Sequence, residues 1–203
     1  VPDLPPADYG VVRVDRQEAF RQAAQHLIQL GHRRLMFVAA DGGVEQMKWR
    51  GVVEAADAAG LQPHWHKLDP IDPDNAAQQT VERAHALGRL LLEKPATDRP
   101  TAVLTGNDFA ASGIIHAYQE QGYAIPDQLS VTSYEQAPAG QTVWPSLTRA
   151  IPDPEQTADQ TVACLLAAVA PVKPRRNHRP RQQVICTPHL HLADSTAPPP
   201  TGG

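Results

Sequence analysis

The sequence predicts an α/β fold, a parallel sheet with helices on both faces. Three observations carry this. Short apolar runs of strand length alternate with segments of helical periodicity along the chain, the pattern of βαβ units. Several of those runs are almost continuously apolar, as strands covered on both faces must be. The chain has 203 residues, 41% hydrophobic and 20% charged, which suits one large domain or two small ones.

In chain order, Val11 to Val14 is a short apolar strand. Asp15, with Glu18 three residues on, resembles a capping box opening a helix. Phe20, Ala23, Ala24 and Leu27 recur at helical spacing, and Gly31 stops that helix. Leu35 to Ala40 is a buried strand, and a helix runs from about Glu45 to Gly60. His64 to Leu68 reads as a further strand. Ala76 to Glu93 is an amphipathic helix with Val81, Ala84, Leu87 and Leu91 on one side. Thr101 to Gly106 is a buried strand; Asn107 and Asp108 open the next helix, and Gly122 closes it. Leu129 to Tyr134 is the next strand. Asp153 is an N-cap with Pro154 at the first helical position, and the helix it opens is expected to bury Ala158, Val162, Leu165, Leu166 and Val169. Gln182 to Thr187 closes as a strand, and the crossovers of such a sheet are expected to be right-handed.

The ends read differently. Residues 1–8 are expected to be an N-terminal extension, 9–192 the folded domain and 193–203 a disordered tail, since Pro, Ser, Thr and Gly dominate there. The basic, proline-punctuated run from Pro171 to Arg181 reads as a solvated loop. No apolar run approaches the roughly 18 residues of a membrane span, and no secretory signal is visible. Cys164 and Cys186 lie in apolar stretches, as reduced thiols of a cytoplasmic protein would. Lys plus Arg total 18 against 22 Asp plus Glu, so the overall field does not favour nucleic acid.

In open parallel sheets, ligands bind beyond the carboxyl ends of the strands. Asp15 follows the first strand; Asp41-Gly42-Gly43, with Lys48, Trp49 and Arg50, follows the second. Asn107 and Asp108 follow the strand at 101–106, and Glu135 and Gln136 the one at 129–134. Such a mixture of donors and acceptors suits a polyhydroxylated small molecule, although Asp15 and Asn107 are equally explained as helix caps. Catalytic and phosphate-cradling signatures are lacking, and no cofactor is expected. His64 with His66, and His189 with His191, put imidazole pairs on one side of a strand. A metal pair is one reading; alternating polar residues on a half-exposed strand is the other, and no metal is expected.

At the level of motifs, Leu27-Ile28-Gln29-Leu30-Gly31-His32-Arg33-Arg34-Leu35 resembles a segment of LacI/GalR-type bacterial transcriptional regulators. Pro100 to Gly113, containing Asn107-Asp108, is similar to that family's "PTA…ND…AlG" stretch. Gln121 to Val131 and Pro145-Ser146-Leu147-Thr148 resemble its "eG…iP.D.SV" and "P.LT" motifs. The resemblance implies a periplasmic-binding-protein-like type I fold. It covers mainly the second of two subdomains, with return segments of the first. It also implies a homodimer that senses a sugar-like effector and, through an N-terminal helix-turn-helix without counterpart in these residues, acts on DNA. By position it assigns effector contacts to Asp15, Lys48, Asn107, Asp108 and Glu135. Lys48 stands where the family carries Arg, and Glu135 where it carries Asp; a lysine lacks the bidentate fork. The expected function is therefore non-enzymatic. The alternatives are a free-standing sugar-binding protein of the same fold and a small α/β enzyme using Asp15 or Asp108 as base.

Overall fold

The computed structural model describes residues 10–69, 72–134, 143–169 and 183–200. The expected N-terminal extension and the basic run lie outside the described residues. Among the described residues, eight strands and five α-helices follow in the order β1 (Val11–Val14), α1 (Arg16–Gln29), β2 (Leu35–Ala40), α2 (Gly43–Ala58), β3 (His64–Leu68), α3 (Ala76–Glu93), β4 (Ala102–Thr105), α4 (Asp108–Glu120), β5 (Ser130–Tyr134), β6 (Thr148–Ile151), α5 (Pro154–Val169), β7 (Gln183–Cys186) and β8 (His189–His191), with single 3₁₀ turns at Pro73–Asn75 and Ala96–Asp98.

Six strands form one sheet in the order β3-β2-β4-β5-β6-β8. All neighbours in it are parallel except β8, which runs antiparallel to β6. β1 and β7 make a separate two-stranded parallel ladder. The period-two alternation of each strand sorts the core into two layers. Leu35, Phe37 and Ala39 of β2, with Ala102 and Leu104 of β4, pack on one face with Phe20, Ala23 and Leu27 of α1 and Val52 and Ala55 of α2. Met36, Val38 and Val103 point the other way, against Ala84, Leu87 and Leu91 of α3 and Ile114 and Tyr118 of α4. Each fully buried Leu or Phe side chain contributes about 1.5–3 kcal/mol.

The helix pairs on each face approach closely because glycine stands at the contact. A Cβ on Gly51 of α2 would lie 2.0 Å from the Gln17 carbonyl oxygen of α1, and one on Gly113 of α4 would lie 2.3 Å from the Val81 carbonyl oxygen of α3.

Local cap chemistry follows the sequence. The Asp15 carboxylate accepts the Glu18 N–H at 2.9 Å, opening α1. Only half of a capping box forms, since the Glu18 carboxylate bonds Arg21 and Gln22 instead of turning back. The Asp153 carboxylate accepts the Gln156 N–H at 3.0 Å. α2 begins at Gly43, ahead of the expected Glu45, without a side-chain cap.

Three expectations are corrected. The tail from Ala193 to Pro200 is folded in. Ser195 is fully buried; its Oγ donates to the Val131 carbonyl at 2.6 Å and accepts the Thr148 N–H at 2.9 Å, while the Val131 N–H donates to the Ser195 carbonyl at 2.8 Å. Composition suggested disorder; specific hydrogen bonds to β5 and β6 override it. Second, α5 does not bury its apolar residues: Val162, Leu165 and Leu166 are 53%, 61% and 61% exposed, and Ala158 is exposed too. Among the described residues the helix's main contacts are with β1 and β7, while the faces of the large sheet are taken by α1 to α4. Third, β6, unpredicted from the sequence, joins the large sheet between β5 and β8.

Both cysteines are free, Cys186 buried and Cys164 half-buried. Among the described residues, no helix is long and apolar enough to cross a membrane.

Candidate functional site

Because β2, β4, β5 and β6 are parallel, their carboxyl ends share one edge of the large sheet. The loop after β4 is the hub of this edge. The Gly106 N–H donates to the Val38 carbonyl at 2.9 Å, joining β4 to β2. A side chain is excluded at Gly106, where a Cβ would meet Glu45 Oε2 at 2.7 Å and Ala39 Cβ at 2.9 Å. The Gly106 carbonyl accepts Lys48 Nζ at 2.7 Å, and Lys48 Nζ also donates to Glu45 Oε1 at 2.9 Å.

Lys48 is wholly buried. Its Nζ lies 5.0 Å from the ring centroid of Tyr134 and 5.6 Å from that of Phe20. Burial pulls its pKa below the usual lysine range; Glu45 opposes that and the Arg16 charge adds to it. The resemblance assigns Lys48 as an effector contact; here its ammonium bonds two protein acceptors. A fully desolvated ammonium has to satisfy its own protons on protein acceptors, so Lys48 braces α2 against the β4–α4 loop from beneath.

Asn107 caps α4, its Oδ1 accepting the Ala110 N–H at 2.9 Å. Asp108, the first helical residue, is buried, and its Oδ1 accepts Ser133 Oγ at 2.5 Å. Ser133 is paired in register with Arg149 of β6. Arg149 Nη1 lies 3.9 Å from Asp108 Oδ2, and the Arg149 side chain is 11% exposed. Its Nε and Nη1 are buried, and among the described residues neither finds a hydrogen-bond acceptor. A buried guanidinium with unmatched donors is expensive unless something else bonds it. Asp15 follows β1 and precedes α1. Its carboxylate caps α1 and its N–H donates to the Cys186 carbonyl at 2.9 Å. The next residue, Arg16, is close enough to act electrostatically on both Lys48 and Tyr134. Burial raises the Tyr134 hydroxyl pKa.

Lys48, Asn107 and Asp108 are therefore gathered around one loop, and Arg16 acts electrostatically on Lys48. Glu135 and Gln136 lie outside the described residues. Sequence reasoning missed Arg16, Glu45, Ser133 and Arg149. Two of these carried a signal: Glu45 stands one helical turn before Lys48, and Arg149 is a charge inside the otherwise uncharged Thr148–Ile151 strand.

The histidine pairs belong elsewhere. His64 and His66 line a cavity of about 380 Å³ with Met36, Leu87, Glu93 and Lys94, at the opposite end of β2 and β3. Burial lowers the His66 pKa. Among the described residues no three-ligand group includes His64, His66, His189 or His191.

The fold is thus that of an α/β domain with a mostly parallel sheet, a class of fold in which ligands bind beyond the carboxyl ends of the strands. The chain belongs to the periplasmic-binding-protein-like domain family, whose sequence profile matches residues 24–196, and it corresponds to the effector-binding region of LacI-family transcriptional regulators. It is 27% identical over 201 residues to the HTH-type transcriptional regulator DegA of Bacillus subtilis, covering 97% of this chain and 55% of DegA. A regulatory protein of the LacI family from Chloroflexus aggregans superposes with a TM-score of 0.76 at 26% identity, covering 95% of this chain and 66% of that one. A LacI-family regulator from Enterococcus faecium with bound ribose also reaches 0.76, covering 97% and 68% at 19% identity, which shows a shared fold. The chain spans about half the length of DegA.

Proposed function

We propose that this chain is the effector-sensing portion of a LacI/GalR-type regulator, which binds a sugar-like small molecule beyond the carboxyl edge of the large sheet. Asp15, Asn107, Asp108 and Glu135 would supply the contacts, with Lys48 bracing the loop beneath them. The observation that carries this reading is Arg149: a buried guanidinium, 3.9 Å from Asp108, with two donors that find no hydrogen-bond acceptor among the described residues. A polar ligand oxygen would complete it. The ribose held by the Enterococcus faecium neighbour supports a sugar as the ligand class. In this reading the protein is cytoplasmic, homodimeric and non-enzymatic, and its action on DNA runs through a helix-turn-helix segment not among these residues.

A panel of sugars and sugar derivatives, screened by thermal shift and followed by calorimetry, tests the reading. One class should raise the melting temperature, and Arg149→Met should abolish that response while the protein still unfolds cooperatively. A ligand response unchanged in both Arg149→Met and Asp108→Asn would remove the site from this edge.

A further inference from the structure

We propose that His85, His116 and Glu120 form a binding site for a divalent transition metal, zinc being the ion whose ligand preference fits best, on the outer face of the α3–α4 pair. His116 and Glu120 stand one turn apart on α4, so both project from one side of that helix. His85 of α3, 35 positions before Glu120, meets them across the helix contact, its Nε2 2.7 Å from Glu120 Oε2. His116 Nε2 lies 3.4 Å from Glu120 Oε1, and the two imidazole rings are 5.3 Å apart. One ligand atom from each residue falls within 4.8 Å of the others. A tetrahedral ion with bonds of about 2.0–2.1 Å needs its ligand atoms roughly 3.4 Å apart. Side-chain adjustments of under about 1 Å would therefore seat it.

The packing that brings the trio together is built into the backbone. Gly88 lies three residues after His85 and Gly113 three residues before His116. A Cβ at Gly88 would meet Ala117 Cβ at 2.6 Å, and one at Gly113 the Val81 carbonyl oxygen at 2.3 Å. Those glycines hold α3 and α4 at the separation that puts His85 within reach of α4. The trio is also accessible, with side chains 23%, 63% and 40% exposed for His85, His116 and Glu120. Two imidazoles and a carboxylate are a donor set for zinc, copper or nickel; magnesium and calcium demand oxygen ligands. Each ring would present its Nε2 lone pair, with the proton on Nδ1. Three protein ligands leave a fourth position to water or to a donor from another molecule.

Calorimetric titration of the whole chain with zinc chloride tests this, with magnesium chloride as control. One zinc per chain is expected, and no heat with magnesium. His116→Gln, at the most exposed ligand, should weaken zinc binding by at least about tenfold, as should Glu120→Gln, with circular dichroism unchanged. The double variant His64→Gln/His66→Gln should bind as the parent does. Cobalt substitution reads the geometry independently: the parent should show the intense visible bands of a four-coordinate ion, and His116→Gln should lose them. No zinc binding by the parent, or binding unaltered in both ligand variants, would overturn the proposal. Binding lost in the His64/His66 variant instead would place the metal in the other cavity and overturn it equally.

Discussion

The large sheet and the β1–β7 ladder follow the same local rules and end in different environments. α1 to α4 cover the large sheet on both faces, and most of the apolar positions that periodicity picked out on them are buried, with Val81 half-buried. α5 carries as regular an apolar stripe, yet Val162, Leu165 and Leu166 stand more than half exposed, as does Ile185 of β7. An apolar stripe says that a helix has a face to cover; it does not say that a partner is within reach. Stability should accordingly be concentrated in the large sheet.

The largest contrast is between two leucines. Leu104→Ala, in the centre of the large sheet with no exposed surface, should destabilise by about 2–5 kcal/mol. Leu165→Ala on α5 should change stability by no more than about 0.5 kcal/mol. Urea unfolding of the two variants measures both, and equal losses would mean that α5 is covered in solution. Next comes the helix contact: Gly51→Ala forces a Cβ onto backbone that cannot yield, at a loss of about 1–3 kcal/mol. Gly43→Ala, where a Cβ meets nothing within 4 Å, should be neutral or stabilise by up to about 1 kcal/mol. Asn107→Ala should remove about 1 kcal/mol through the lost cap. If Asn107 also contacts the ligand, effector affinity should fall by about 1–3 kcal/mol more, so equal losses in unfolding and binding would leave only the cap.

The smallest effect expected is a pH dependence centred on His32. Its Nδ1 lies 2.9 Å from Thr101 Oγ1, and its Nε2 2.8 Å from the Ala197 carbonyl and 3.0 Å from Ser130 Oγ. Burial lowers its pKa below 6.5, against the pull of the Ala197 carbonyl; the half-buried His26 is lowered for the same reason. The neutral ring therefore contributes its full stability above about pH 6.5. As pH falls from there towards the depressed folded value, the unfolded chain takes up the proton that the folded one resists, and stability declines. The urea midpoint should drop between about pH 7.5 and about pH 5, and His32→Gln should flatten that slope. Amide exchange completes the comparison, with α5 expected to exchange faster than α1 or α4.

Much of this was legible because it is local. Asp15, Asn107 and Asp153 cap helices through hydrogen bonds spanning three residues, and such signals survive whatever the rest of the chain does. The runs 35–40 and 101–106 announced buried strands because both faces of each are covered. β6 was not legible: Thr-Arg-Ala-Ile has no apolar run, and it becomes a strand by pairing with β5 and β8. The tail was misread for the same reason, since its order depends on Ser195 and Ala197 finding β5, β6 and His32. At the strand ends, sequence pointed to the loops after β2 and β4 and to Lys48, Asn107 and Asp108, which the fold gathers. It could not say that Lys48 would be buried or that Arg149 would stand beside Asp108.

By itself, then, the sequence determined the alternation of elements, their caps and the edge at which polar loops collect, because periodicity and capping act within a few residues. Tertiary structure decided which charges find partners, as Lys48 does on Gly106 and Glu45. It also decided which apolar stripe finds a cover and which distant side chains, such as His85 and Glu120, become neighbours. Those outcomes depend on contacts between residues far apart in the chain, and no local pattern encodes that separation.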